Sequence, residues 1–163
     1  MTQQSTTPES AGPARPSKYY GQLGELTLVQ PLKPGGAEKV RELMSSSADR
    51  ARSGLSGIGT VHNARVAFLN NDTWMLFATT YDGDWDQYID DFASKGKGFL
   101  DELWQNCEGY PGIESPEVKD YIHKHQIDVE FWWVAYPEAT AKQINKGQRV
   151  LTAWEQMLDT AAE

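Results

Sequence analysis

Thr60-Val61-His62-Asn63-Ala64-Arg65-Val66-Ala67-Phe68-Leu69, then Asn70-Asn71-Asp72, then Thr73-Trp74-Met75-Leu76-Phe77-Ala78-Thr79-Thr80-Tyr81 is the stretch on which the fold turns. Both outer runs are rich in β-branched, aromatic and aliphatic residues, and the three between them tolerate a left-handed backbone. The pattern predicts an antiparallel hairpin. Alternation places His62, Ala64, Val66 and Phe68 on one face of its first strand and Asn63, Arg65, Ala67 and Leu69 on the other.

Upstream, Leu23 to Leu32 alternates and ends in prolines, which reads as another strand. Pro34-Gly35-Gly36 turns the chain. From Ala37 the apolar spacing becomes helical through Val40, Leu43, Met44 and Ala48, with a stop expected near Ser53-Gly54. Gly54, Gly57 and Gly59 then form a flexible connector into the hairpin. They follow a helix and precede a strand, the reverse of the order that aims amides at a phosphate, so a phosphate loop is excluded.

Downstream, Asp84 and Gln87 have capping-box spacing, and Trp85, Tyr88, Ile89, Phe92, Phe99, Leu100, Leu103 and Cys107 share one helical face. Gly96 and Gly98 should break that helix midway. A short helix from Pro116 to about His125 precedes an expected strand from Ile127 to Tyr136. Pro137 ends it, and a final helix from about Glu138 to Ala161 is expected to bury Ile144, Leu151, Trp154 and Leu158. Two strand-helix-strand units in this order predict an α+β, ferredoxin-like four-stranded antiparallel sheet with helices on one face, a small extra helix before the last strand and a C-terminal helix. The expected last strand is apolar on both sides, so the second face of the sheet should hold a ligand or meet a partner sheet.

A chain of 163 residues with 39% apolar content, six Trp and seven Tyr can bury one core. Residues 1–18 lack large apolar side chains after Met1 and are expected to be a disordered tail before a single domain over 19–163. No secretory run or membrane-length stretch is evident, which makes a cytoplasmic location the expectation. The net charge is −8; Glu9, Arg15 and Lys18 give the tail +1, leaving −9 for the rest. Such acidity without a basic stripe argues against nucleic acid. Cys107 stands alone, so no internal disulfide can form, and it reads as an apolar filler.

The element order and the two-faced sheet resemble the dimeric α/β barrel superfamily over roughly residues 20 to 160. This superfamily includes antibiotic-biosynthesis monooxygenases, chlorite-dismutase-like haem proteins and dye-decolourising peroxidases. His62-x-Ala64-Arg65, Tyr81-Asp82-Gly83 and Glu108-Gly109-Tyr110-Pro111 are also similar to uncharacterised bacterial proteins of this plan. The resemblance implies a homodimer that binds an apolar or aromatic molecule and oxidises it in an oxygenase-like or peroxidase-like way, with haem or without a cofactor.

His62 is the candidate general base or haem ligand, as histidine titrates near neutrality. Arg65 would stabilise an anion, or else form a structural ion pair with Asp128 or Glu130. Tyr81 and Asp82 would add a proton donor and an orienting carboxylate, and Asn63, Glu130, Phe77 and Trp132 would line the substrate site. Asp82, Asp84 and Asp86 fail as a calcium loop, because Gln87 and Ala93 stand where glycine and glutamate are needed. His123 and His125 diverge on a helix, and no metal site is expected. Two other functions fit the same residues: a cofactor-free cyclase or isomerase working by proton transfer, and a non-catalytic ligand-binding or assembly module.

Overall fold

The computed structural model describes residues 18–161, so the expected tail over 1–18 lies outside the described residues except for Lys18, which is held by hydrogen bonds to Val129, Glu130 and Glu25. The chain forms β1 (Tyr19–Tyr20), β2 (Leu23–Pro31), α1 (Gly36–Ser46), α2 (Ala48–Ile58), β3 (Val61–Leu69), β4 (Trp74–Asp82), α3 (Trp85–Lys95), α4 (Lys97–Trp104), α5 (Val118–His125) and α6 (Ala141–Ala161). The strands make one antiparallel sheet in the order β1-β2-β4-β3, an α+β ferredoxin-like arrangement.

The hairpin is β3–β4. Asn70, Asn71 and Asp72 all adopt positive φ (50°, 51° and 65°), and Thr73 closes the turn by donating its N–H to the Asn70 carbonyl. Short polar side chains make this run of left-handed residues tolerable. The helix-facing side of the sheet carries Leu26, Leu28, Met75, Phe77 and Tyr81, all buried. On it packs an aromatic cluster in which Trp104 meets Phe77 edge-on at 5.3 Å and Tyr81 stacks on Tyr88 at 3.8 Å. Asp84 caps α3 by accepting from the N–H groups of Asp86 and Gln87, while the Gln87 side chain turns outward to Asp91. The break between α3 and α4 falls at Gly96, as expected.

Three expectations are corrected. The first helix is two helices that break at Ser47, and α2 runs through Gly54 and Gly57 to Ile58, ending at Gly59 with φ 80°. Burial of Ala51 and Ile58 outweighs the cost of two internal glycines, about 1 kcal/mol each. Next, Ile127–Tyr136 is not a strand. The fourth strand is Tyr19–Tyr20, which pairs with Leu23 and Gly24, and Glu25 N–H also donates to the Lys18 carbonyl. With that edge of β2 occupied, the later segment keeps only the Ile127 N–H to Thr27 carbonyl bond and the Leu28–Gln126 bridge. It then leaves the edge and passes over the second face of the sheet.

The third correction concerns α6, which does not bury its apolar stripe: Ile144, Leu151, Trp154 and Leu158 are 40 to 56% exposed.

Gly24 sits under the Tyr81 ring, where an added Cβ would come within 2.6 Å of Cζ. Tyr81 cannot retreat, being held against Tyr88 on its other side. Gly24→Ala should therefore lower stability by roughly 1–3 kcal/mol, the usual cost of overpacking, read as a reduced urea midpoint with an unchanged slope.

Candidate functional site

The second face of the sheet is built in cross-strand rows. Glu25, Thr80 and Asn63 share one row, and Thr27, Ala78 and Arg65 the next. Beyond them Val29, Leu76 and Ala67, then Pro31, Trp74 and Leu69, make the other half apolar. The polar half lies beneath the segment that left the sheet edge. That segment is tied down by the Lys18 ammonium, which donates to the carbonyls of Val129 and Glu130, and by Gln22 N–H, which donates to the Pro137 carbonyl at 3.0 Å. Tyr20 meets Trp132 edge-on at 6.5 Å.

Register slips by one residue between Val61 and Asn63, making His62 the extra residue of a β-bulge. A bulge re-aims its side chain, and here it undoes the simple alternation. His62 and Asn63, expected on opposite faces, line the same cavity of about 270 Å³ with Leu23, Thr80, Trp132, Trp133, Tyr136 and Ile144. The His62 Nε2 lies 2.7 Å from Asp82 Oδ1, with the two side chains only 14% and 12% exposed. The other Asp82 oxygen accepts the N–H of Ala141, the first residue of α6, at 2.9 Å. Asp82 thus holds the histidine ring and the start of α6 at once.

The expected site residues divide. His62, Asn63, Asp82 and Trp132 come together. Tyr81 and Phe77 point to the helix side, where both are buried in the core. Arg65 is exposed and forms no salt bridge among the described residues; it borders a different cavity, of about 530 Å³, between β3 and helices α1 and α2. Val40, Met44, Leu55, Val66, Phe68 and Phe99 give that space apolar walls. Glu130 is exposed, and its backbone, not its carboxylate, makes the contact to Lys18. Among the described residues no cluster of His, Cys, Asp and Glu could hold a metal ion. No helix among them is long and apolar enough to cross a membrane.

One ionisable group in this region escaped the sequence reading. Glu25 is 3% exposed; one oxygen accepts from the Thr27 hydroxyl at 2.9 Å and the other is buried without a partner. Burial raises its pKa, helped by nearby Asp128 and opposed by Thr27, Lys18 and Arg65. The alternation of β2 does place Glu25 on the second face, but nothing in the sequence shows that a later segment covers it. Cys107 behaves as the filler expected: it is fully buried, and desolvation pushes its thiol up to about 12.

A carboxyl whose folded pKa is raised favours the fold while protonated and loses that advantage as pH climbs through its folded pKa. Glu25→Gln, which mimics the protonated acid, should be more stable than the parent at neutral pH, with the gap closing below the ordinary carboxylate range. Urea midpoints across pH measure this. Comparison of the chain with protein-family models, with curated proteins and with solved structures returned no significant match.

Proposed function

We propose that the protein is a small-molecule enzyme that removes a proton from an apolar, aromatic substrate, with His62 as the general base. The observation that carries this reading is the 2.7 Å contact between His62 Nε2 and Asp82 in a cavity walled by Trp132 and Trp133. With the Asp82 carboxylate accepting from Nε2, the proton sits on that nitrogen and the lone pair on Nδ1 is left to meet a substrate. A carboxylate that orients the ring also stabilises the imidazolium formed when the proton arrives. Asn63 and Thr80 supply hydrogen-bond donors beside it for the oxygen of an enolate or phenolate, and the indoles supply flat apolar surface.

At about 270 Å³ the cavity lies just below the usual span of ligand pockets, ~300 to 1,000 Å³, and suits a small molecule of one or two rings. A porphyrin does not fit it, and the one histidine there is already held by Asp82, so no step is routed through haem. Proton removal is common to the cofactor-free oxygenase that the resemblance to dimeric α/β barrels implies and to the cyclase or isomerase that fits the same residues. An isomerase or cyclase returns the proton elsewhere on the substrate; an oxygenase lets the electron-rich anion react with oxygen.

The test uses solvent exchange. Incubation with a panel of aromatic ketones, 1,3-dicarbonyls and polyhydroxylated arenes in D2O should show deuterium uptake at the acidic position of at least one member, read by mass spectrometry. His62→Ala should slow it at least ~100-fold, the usual worth of a positioned base, while thermal stability stays close to that of the parent. Asp82→Asn should slow it too. Exchange that persists in His62→Ala overturns the assignment, and oxygen consumption during turnover separates the oxygenase outcome from the isomerase.

A further inference from the structure

The segment from Ile127 to Pro137 crosses the second face of the sheet as a strap. Its backbone bonds the sheet at its two ends, through Ile127 N–H to the Thr27 carbonyl at 2.9 Å and through Gln22 N–H to the Pro137 carbonyl at 3.0 Å. Between those ends it is tied by the Lys18 ammonium, which donates to the carbonyls of Val129 and Glu130. Phe131, Trp133 and Tyr136 are 68 to 83% exposed, so the strap carries little buried apolar surface of its own. A segment with few buried contacts and exposed hydrogen bonds is the kind that opens locally at low cost. Opening it would matter to the site, because Trp132, Trp133 and Tyr136 wall the cavity at His62.

Under the strap lies Glu25, with Oε2 accepting from the Thr27 hydroxyl and Oε1 buried without a partner. The charged groups that act on it come from each side: Lys18 just before β1, Arg65 on β3 and Asp128 on the strap, while Thr80 of β4 stands across from it. Lys18 and Arg65 favour the carboxylate; Asp128 and, above all, burial oppose it. The closed strap therefore suits the protonated acid, and a carboxylate formed there needs water or a donor. The Lys18 ammonium has two rival acceptors in reach of its charge, the carbonyls of the strap and the carboxyl beneath it. An ionised carboxylate is the stronger acceptor of the two. Loss of the Glu25 proton thus draws Lys18 away from the strap and sets a second negative charge near Asp128.

We infer that Lys18 and Glu25 form a proton-operated latch on the strap. With Glu25 protonated, Lys18 holds the strap down; with Glu25 ionised, Lys18 turns to the carboxylate, the strap lifts and the cavity at His62 opens. The direction follows from linkage: a carboxyl whose pKa is raised in the closed form favours that form while protonated, and the advantage is lost as pH climbs through the raised value. Acid closes the cavity and a rise in pH opens it. The two arrangements of Lys18 supply the discrete pair of states that such a device requires. The latch rests on the strap and on Glu25, and stands whether or not His62 is a base.

Hydroxyl-radical footprinting of the full chain, read by mass spectrometry and normalised to the exposed Met157, follows the strap through Leu23, which is 1% exposed and lines the cavity beneath it. Labelling of Leu23 should rise roughly 10-fold between about pH 5 and about pH 8, the change that one unit of displaced carboxyl pKa produces. Met75, buried on the helix side of β4, should stay protected throughout. Two variants should move in opposite directions: Glu25→Gln keeps Leu23 protected across the range, and Lys18→Met exposes it even at the acid end. His62 is present in all three proteins, so its own titration is common to them. Labelling of Leu23 that ignores pH overturns the inference, as does a rise that persists in Glu25→Gln. So does a protected Leu23 at the acid end in Lys18→Met, or labelling of Met75 in step with Leu23, the mark of whole-domain unfolding.

Discussion

The edge of β2 can be paired only once, and much of the molecule follows from which segment takes it. Tyr19 and Tyr20 occupy the stretch opposite Leu23 and Gly24, and the Lys18 carbonyl takes the Glu25 N–H. The later segment, with stronger strand composition, arrives at Gln126 and Ile127 to find two residues' worth of edge remaining. Its backbone must be satisfied elsewhere. Lys18 and Gln22 provide for this by bonding the carbonyls of Val129, Glu130 and Pro137. Those anchors carry the segment across the second face, so residues that would have extended the sheet become the wall of a cavity on top of it.

Covering that face has an energetic consequence on each side of the polar half. Glu25 is sealed in with a single hydroxyl partner, an arrangement that disfavours its charged form. His62 and Asp82, under the same cover, satisfy one another directly. The two carboxyls differ because of what reaches them: Asp82 accepts from an imidazole and from a backbone N–H, whereas Glu25 accepts from one threonine. The region therefore holds one carboxyl that is paired and one that is desolvated.

The hairpin, the capped α3 and the break at Gly96 were legible because each is written in local chemistry: asparagines that accept positive φ, an aspartate three residues before a glutamine, a glycine within a helical face. The pairing of His62 with Asp82 was legible as proximity of two strand ends. The bulge was not, since a one-residue slip leaves no mark in an alternating pattern and yet moved His62 to the face of Asn63. Tyr81 and Phe77 were assigned to the site although the alternation of β4 turns them to the helices. The expected partnership of Arg65 with Glu130 assumed that Ile127–Tyr136 lay in the sheet, and that depended on competition for an edge between segments about a hundred residues apart. Strand propensity favours the later segment; the short loop at Gly21 and Gln22 makes the earlier one far cheaper to close.

Asp82 connects the parts. One oxygen orients His62 and the other holds the first N–H of α6, so the direction in which that helix leaves the domain and the direction in which the imidazole points are fixed by the same carboxylate. A carboxylate at a helix N-terminus is electrostatically favoured, and it offsets some of the misfit between the helix dipole and the lysines that follow. Any partner that fixes α6 as a rigid body also restrains the side chain of Asp82, and through it the histidine. Rigid support of this kind separates a positioned base from an exposed histidine that merely titrates. The geometry of the cavity is thereby tied to α6, a helix whose side chains the rest of the described residues leave uncovered.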